Sequence, residues 1–253
     1  MRRQRSMMAL NDTARCKIVV VGDSLSGKTT VLHTFLGRQF DEVYTPTTFE
    51  NYSSTMEINK YRMELTIWDT SGKPEYDSVR PLSYNEITIA LICFDISRPF
   101  TLHNIIRKWH PEVKKHCPNC PIILVGCKMD LRNNIQVMSE LSKDRGLPVS
   151  HDRGAKIASQ IGAAAYVECS ARTSPTSIQE LFEVTSLAAM GKLKLQKSYI
   201  DLPSACNGGT LPLFNANSLR RLSIRKKSEP KLPAPVRVKA VVVERESRGC
   251  IVM

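Results

Sequence analysis

Gly22-Asp23-Ser24-Leu25-Ser26-Gly27-Lys28-Thr29 fits the spacing G-x-x-x-x-G-K-[ST]. In a loop of this kind, backbone N–H groups converge on phosphate oxygens, the lysine adds a cation, and the final hydroxyl suits Mg²⁺. The motif needs a strand before it and a helix after it, so that the helix N-terminus adds positive potential. Residues 16–21 form a short β-branched run, and residues 30–36, starting at Thr30, carry helical spacing. Both requirements are met.

Outward from the loop, strand-like and helix-like segments alternate. Residues 51–58 and 62–68 alternate in polarity and are expected to pair as an antiparallel hairpin around Asn59-Lys60. Continuous apolar runs at 88–94 and 121–125 predict buried strands, and 165–168 a short one. Residues 102–115, 155–161 and 177–189 predict helices. The pattern specifies an α/β fold: a mostly parallel six-stranded sheet with helices on both faces. Residues 131–150 are polar and charge-mixed, too long for an ordinary connection, with 138–143 compatible with a short inserted helix. No internal repeat is found.

The 253 residues leave room for one such domain of roughly 170–180 residues plus extensions. The net charge of +12 is unevenly placed. Residues 14–190 hold 20 Lys/Arg against 19 Asp/Glu, whereas residues 191–253 hold 13 against 4 and residues 1–13 hold 3 against 1. A nearly neutral body with basic ends points to an anionic partner surface, membrane or nucleic acid. No run of 18 apolar residues exists to span a bilayer, and the N-terminus lacks the apolar stretch of a signal peptide. The eight cysteines are therefore read as reduced thiols. Cys117-Pro118-Asn119-Cys120 has CxxC spacing but only His116 beside it, too little for a zinc set, and reads as a helix-to-strand loop.

Further chemistry-bearing residues follow the apolar runs. Asp69 ends a strand, where a carboxylate can hold Mg²⁺ through water, and Gly72 lets a backbone N–H approach a γ-phosphate. Gly126-Cys127-Lys128-Met129-Asp130 and Cys169-Ser170-Ala171-Arg172 also follow apolar strands, the position where open α/β sheets bind ligands. Asp130 can accept from the N1–H and N2–H of guanine, and the Ala171 N–H can donate to its O6. In this order, the motifs specify guanine.

From about Cys16 to Ala189 the sequence resembles the Ras superfamily, and within it the Rho family. Tyr44-Thr45-Pro46-Thr47-Thr48-Phe49-Glu50-Asn51-Tyr52 resembles the Rho first switch loop, and 131–150 falls where Rho proteins carry an insert helix. The resemblance implies a Ras-like P-loop G domain over 15–190, between a basic extension at 1–14 and a disordered basic tail at 191–253. It implies GTP and Mg²⁺ held by residues 22–30, with Thr29, Thr47 and Asp69 at the metal. Tyr44 would cover the phosphates and Phe40 would pack on the guanine. Cys127, Lys128, Asp130, Ser170, Ala171 and Arg172 would surround the base.

Four positions depart from a typical Rho switch. Ser24 replaces a loop glycine and points a side chain into the space of attacking water and an arginine finger. Lys73 replaces the water-orienting glutamine; it has three donors and no acceptor. Pro74 stiffens the second switch and removes an N–H. Cys127 replaces the asparagine of N-K-x-D. Water positioning and the arginine finger together supply roughly 10⁵-fold stimulation in such proteins, about 7 kcal/mol of barrier lowering. Hydrolysis is expected to be very slow or absent while binding is kept.

With Asp69-Thr70-Ser71-Gly72, Arg80-Pro81-Leu82-Ser83-Tyr84 and Cys93-Phe94-Asp95-Ile96-Ser97-Arg98-Pro99, this combination resembles the Rnd subfamily. That resemblance implies a constitutively GTP-bound protein opposing RhoA-driven contractility and regulating the actin cytoskeleton and cell adhesion. Its implied partners are Rho-directed GTPase activators, plexins or Rho-kinase. Lys73 stands where close relatives are expected to carry serine. The alternative is a conventionally cycling Rho GTPase that returns GTP to GDP.

Cys250-Ile251-Val252-Met253 has the form of a C-a-a-X box favouring farnesylation of Cys250. One lipid binds membranes only reversibly, and the cluster from Arg220 to Lys227 supplies the second signal through anionic lipids, with Arg2, Arg3 and Arg5 adding to it. The expected location is the cytoplasmic face of the plasma membrane with a cytosolic pool. A nucleic-acid reading of the cluster ranks last, because no aromatics interleave for base stacking. Ser223 and Ser228 resemble basic-directed kinase sites, the latter in a setting that resembles a 14-3-3 docking motif, where phosphate would weaken membrane attachment.

Overall fold

Ile18, Val19, Val20 and Val21 in β1 (Thr13–Gly22) are all buried, as a strand covered on both faces requires. The computed structural model describes residues 13–40, 46–58, 61–143 and 146–191. β1 lies inside a six-stranded sheet of order β2-β3-β1-β4-β5-β6. The other strands are β2 (Phe49–Ile58), β3 (Tyr61–Thr70), β4 (Ile89–Asp95), β5 (Ile122–Cys127) and β6 (Ala165–Glu168). β2 pairs antiparallel with β3, and every other pairing is parallel. The expected mostly parallel sheet is present, with each strand within a few residues of its sequence-derived position.

Period-two alternation sends successive side chains to opposite layers. Ile18 and Val20 face one layer, completed by Val31, Leu32 and Phe35 of α1 (Lys28–Phe35) and by Ile178, Leu181 and Phe182 of α6 (Pro175–Ala189). The Phe35 and Phe182 rings stack at 3.7 Å. Val19 and Val21 face the other, completed by Leu102, Ile105, Trp109 and Val113. Those four come from α2 (Pro99–Asn104), a π turn (Ile105–Trp109) and α3 (His110–His116), which run on as one helix over 99–116.

The sequence reading began that helix at 102 and did not foresee its π turn. Pro99 sits in the first turn, where its missing N–H costs nothing. Pro111 lies at the start of α3 and offers no N–H to the ladder behind it, so the helix widens just before it. The helix read at 155–161 is α5 (His151–Gln160), which starts earlier because the Ser150 side chain accepts from the Arg153 N–H at 3.3 Å. In 131–150 the helix-compatible stretch is α4 (Ile135–Lys143), entered through Asn134 Oδ1, which accepts from the N–H groups of Gln136 and Val137. The turn at Asn59-Lys60 lies outside the described residues.

α5 approaches β6 closely at one point. A Cβ on Gly154 would stand 2.1 Å from the Tyr166 hydroxyl. Tyr166 cannot easily retreat: its hydroxyl donates to Glu168 at 2.5 Å, and its ring packs near Phe94 and His151. Alanine would gain about 1 kcal/mol of helix propensity but cost about 1–3 kcal/mol in overpacking. Gly154→Ala is therefore expected to lower the thermal unfolding midpoint by a few degrees, and calorimetry checks the sign.

Candidate functional site

The carboxyl end of the sheet opens on a cavity of about 700 Å³. The chain leaves β1 at Gly22, turns through Leu25 (φ 65°) and Gly27 (φ 99°), and enters α1. A leucine at positive φ is strained backbone, and such strain gathers at functional sites. Gly27 caps α1 in the left-handed region, with no side-chain cap and no acidic residue in the first turn. The first N–H groups of α1 are thus left for an external acceptor, and the helix end favours an anion.

Lys28 is buried, and its Nζ donates to the carbonyls of Gly22 at 2.9 Å and Asp23 at 2.8 Å. Burial pulls its ammonium down from the ordinary lysine range, with Asp69 opposing. A buried cation held by carbonyls lacks a full counter-charge.

A second cluster lies beside it. Thr29 Oγ1 donates to Asp69 Oδ2 at 2.5 Å and lies 2.8 Å from Thr47 Oγ1. Asp69 Oδ1 is buried with no partner among the described residues, and burial pushes the carboxyl up to about 6 against the pull of Thr29 and Lys28. Two hydroxyls and a carboxylate with an orphaned oxygen form an all-oxygen set suited to a hard cation such as Mg²⁺. The residues fit the group.

The third part is the far end of the cavity. Asp130 Oδ1 accepts from Ser170 Oγ at 2.6 Å, and Ser170 is in turn tied to the N–H of Thr173 and to Ser177. That network aims the carboxylate. Asp130, Ala171, Arg172 and the exposed Phe40 all line the cavity. Lys128, at positive φ, acts as a strut: its Nζ donates to the Leu25 carbonyl and to Asp95 Oδ2, both at 2.8 Å. Cys127 is buried behind Gly27, whose Cβ would meet it at 3.3 Å.

Ser24, Leu25, Gly27, Lys28, Thr29, Thr30, Thr47, Gly72, Cys127 and Lys128 line the same cavity, while Gly22, Asp23, Ser26, Asp69 and Ser170 support it from behind. Tyr44 lies outside the described residues. Lys73 adjoins the site as the extended residue before the short 3-10 turn Pro74–Tyr76, its N–H reaching Ser71 Oγ at 3.4 Å. Gly72 packs on the glycine loop so tightly that a Cβ would fall 2.4 Å from both the Gly22 carbonyl and the Ser24 N–H nitrogen.

The sequence reading missed the outer supports. Asp23 accepts from Trp109 Nε1 and Asn104 Nδ2, both at 2.7 Å. Arg98 donates to the Ser24 carbonyl at 3.3 Å. Arg80, buried, pairs with Glu112 and Asp77 and donates to the Ser71 carbonyl at 2.8 Å. Only one signal was present beforehand: Trp109 is one of two tryptophans, on an otherwise aliphatic helix stripe.

A phosphate loop, an oxygen cage and an acceptor-bearing base end, all at the carboxyl ends of β1, β3, β5 and β6, define the class: a P-loop nucleotide-binding G domain. A Ras family model matches residues 17–190. The chain is 53% identical over 188 residues to the Rho-related GTP-binding protein RhoE of Homo sapiens, covering 74% of this chain and 77% of that one. RhoE of Mus musculus matches to the same extent, and that of Sus scrofa is 52% identical over the same length. The chain belongs to the Ras family, as a Rho protein of the Rnd subfamily. Family membership carries guanine-nucleotide and Mg²⁺ binding with it.

Because Gly72 touches loop backbone that cannot yield, Gly72→Ala is expected to push the second switch off the glycine loop. Its guanine-nucleotide affinity should fall by about tenfold or more, the scale of a lost hydrogen bond to a charged group. Titration of the stripped protein with GTP and Mg²⁺ checks this; unchanged affinity would show that the contact is dispensable.

Proposed function

We propose that this chain is a guanine-nucleotide switch held in its GTP-bound state, with little or no hydrolysis. The observation that carries the reading is a contrast: the groups suited to gripping nucleotide are assembled around one cavity, whereas the glycine loop carries Ser24 and the segment adjoining the cavity carries Lys73. Lys28 and the α1 N–H groups hold phosphate. Thr29, Thr47 and Asp69 hold Mg²⁺, which when bound neutralises phosphate charge. Asp130 and the Ala171 N–H read guanine and Phe40 covers it; the cover of the phosphates is assigned to Tyr44, outside the described residues.

Lys73 has no acceptor atom with which to orient water, and among the described residues its ammonium makes no hydrogen bond or ion pair. Pro74 behind it holds the segment extended (ψ 143° at Lys73). Ser24 adds a side chain to the cavity lining. The amine of Lys73 is then free to contact the γ-phosphate and stabilise the bound state rather than the transition state, which raises affinity without raising turnover.

The family supports the rest of the proposal: effectors among Rho-directed GTPase activators, plexins and Rho-kinase, with output opposing RhoA in actin organisation and adhesion. No helix among the described residues is long and apolar enough to cross a membrane. Membrane attachment is assigned to Cys250 with the basic cluster from Arg220 to Lys227, its control to phosphate on Ser223 and Ser228 cutting the basic charge, and 14-3-3 docking to phosphorylated Ser228. All of these lie outside the described residues.

Protein purified without added nucleotide should carry mostly GTP on extraction and chromatography; mostly GDP would instead identify a conventionally cycling GTPase. The double change Ser24→Gly with Lys73→Gln should raise single-turnover hydrolysis by about tenfold or more, and unaltered turnover removes the explanation from these two side chains. Cys250→Ser should move the protein from the membrane to the soluble fraction, which fractionation reads directly.

A further inference from the structure

Three cysteines meet where β4, β5 and β6 end. Cys93 in β4, Cys127 at the end of β5 and Cys169 just past β6 are each buried and belong to the core layer under α1 and α6. The three thiols lie close enough together for each to shift the titration of the others.

Register separates the two pairings. Cys93 is opposite Val125, and Cys127 is opposite Asp95, so Cys93 and Cys127 are offset by two residues on adjacent strands. That offset places their Cα atoms about 8 Å apart, outside the roughly 7 Å limit for a disulfide. Cys127 and Cys169 instead each follow the aligned pair Gly126 and Glu168. The segments stay joined just beyond the ladder: the Cys169 N–H donates to the Gly126 carbonyl at 2.9 Å, and the Met129 N–H to the Cys169 carbonyl at 3.1 Å. Lateral neighbours on parallel strands lie about 4.8 Å apart, inside the disulfide range of about 4.4–6.8 Å. Both side chains point to the same layer.

The pair also has an entrance, since Cys127 lines the cavity. Access sets an order of reaction, because Cys127 lines the cavity and Cys169 does not. Its two neighbours draw the Cys127 thiol below the ordinary cysteine range and are themselves pushed above it. The thiolate is the nucleophile in such chemistry.

We propose that Cys127 and Cys169 form an oxidisable dithiol in the floor of the nucleotide cavity, closed to a disulfide by peroxide-class oxidants when the cavity is open. Cys127 attacks one peroxide oxygen, the O–O bond breaks, and a sulfenic acid forms as the second oxygen leaves and is protonated to water. The Cys169 sulfur then attacks the sulfenic sulfur, giving the disulfide and a second water. Two thiols lose two electrons and two protons; one peroxide is reduced to two waters. The bond ties the segment carrying Asp130 to the segment carrying Ala171. Gating by nucleotide rests on the function proposed above; the dithiol itself does not.

The test uses the full chain, stripped of nucleotide with EDTA and treated with stoichiometric hydrogen peroxide. Free thiols are alkylated and the protein is digested without reductant. A cross-linked peptide joining Cys127 to Cys169 is expected from the wild type and from Cys93→Ser, and is expected to be lost in Cys169→Ser. It should also be lost in Cys127→Asn, which restores the family's residue and so keeps the fold testable. Alkylated Cys127 with pairing elsewhere, such as Cys117 to Cys120, overturns the proposal. Saturating GDP or GTP with Mg²⁺ should slow cross-linking by about tenfold or more, as loss of access slows thiol chemistry. Equal rates would uphold the dithiol and count against the nucleotide lying over it.

Discussion

The structure is organised around a cation taken out of water. Lys28 Nζ is held by two carbonyls of the loop that precedes it, an arrangement that costs stability unless negative charge arrives. Drawing the Gly22 and Asp23 carbonyls inward turns the following N–H groups the other way, because a trans peptide opposes the two. The loop therefore cannot relax around its own lysine without losing the donors it presents. Four side chains from outside the loop prevent that relaxation: Trp109 and Asn104 on the Asp23 carboxylate, Arg98 on Ser24 and Lys128 on Leu25.

The second switch shares one of those anchors. The Arg80 guanidinium lies 4.6 Å over the Trp109 ring while pairing with Glu112, whose carboxylate also accepts from the Tyr84 hydroxyl at 2.7 Å. Removing one member of such a buried set leaves an uncompensated charge, at a cost of about 3–5 kcal/mol. One tryptophan thus couples the phosphate loop to the segment that begins at Ser71. That segment is fixed through Arg80, Gly72 and the Lys73 backbone, with no contact from the Lys73 side chain among the described residues. The side chain that would orient water is left out of the structural bracing, so its identity can change without disturbing the grip.

The strands and the glycine loop were legible in the sequence because both are local signals: β-branched runs of fixed length, and glycines at fixed spacing. The outer supports were not, because their partners are distant in sequence; Trp109 and Asp23 are 86 residues apart. Helix starts at Pro99 and Ser150 depend on single residues that apolar periodicity does not see. The π turn depends on one missing N–H at Pro111. Lys128 was legible as a motif residue but not as a strut, since that role appears only when the loop and Asp95 meet it. Cys127 looked like a weakened base contact. In the fold it lies behind Gly27, in the same buried layer as Cys93 and Cys169.

That last placement bears on how grip and turnover can part. Guanine recognition depends on acceptors and backbone donors at strand ends, and Asp130 is aimed by Ser170 rather than by Cys127. Phosphate binding depends on backbone N–H groups and Lys28, which no side chain at position 24 removes. Hydrolysis alone needs a lone pair held at the second switch and open space above the loop. In the proposed reading those two requirements fall on the side chains of Lys73 and Ser24, and the loop is braced through the Ser24 carbonyl rather than its hydroxyl. A chain that loses function by drift has no reason to change there and spare Lys28, Thr29, Thr47, Asp69 and Asp130. Separable physical requirements make a switch that is gripped and not turned over an accessible state of this fold.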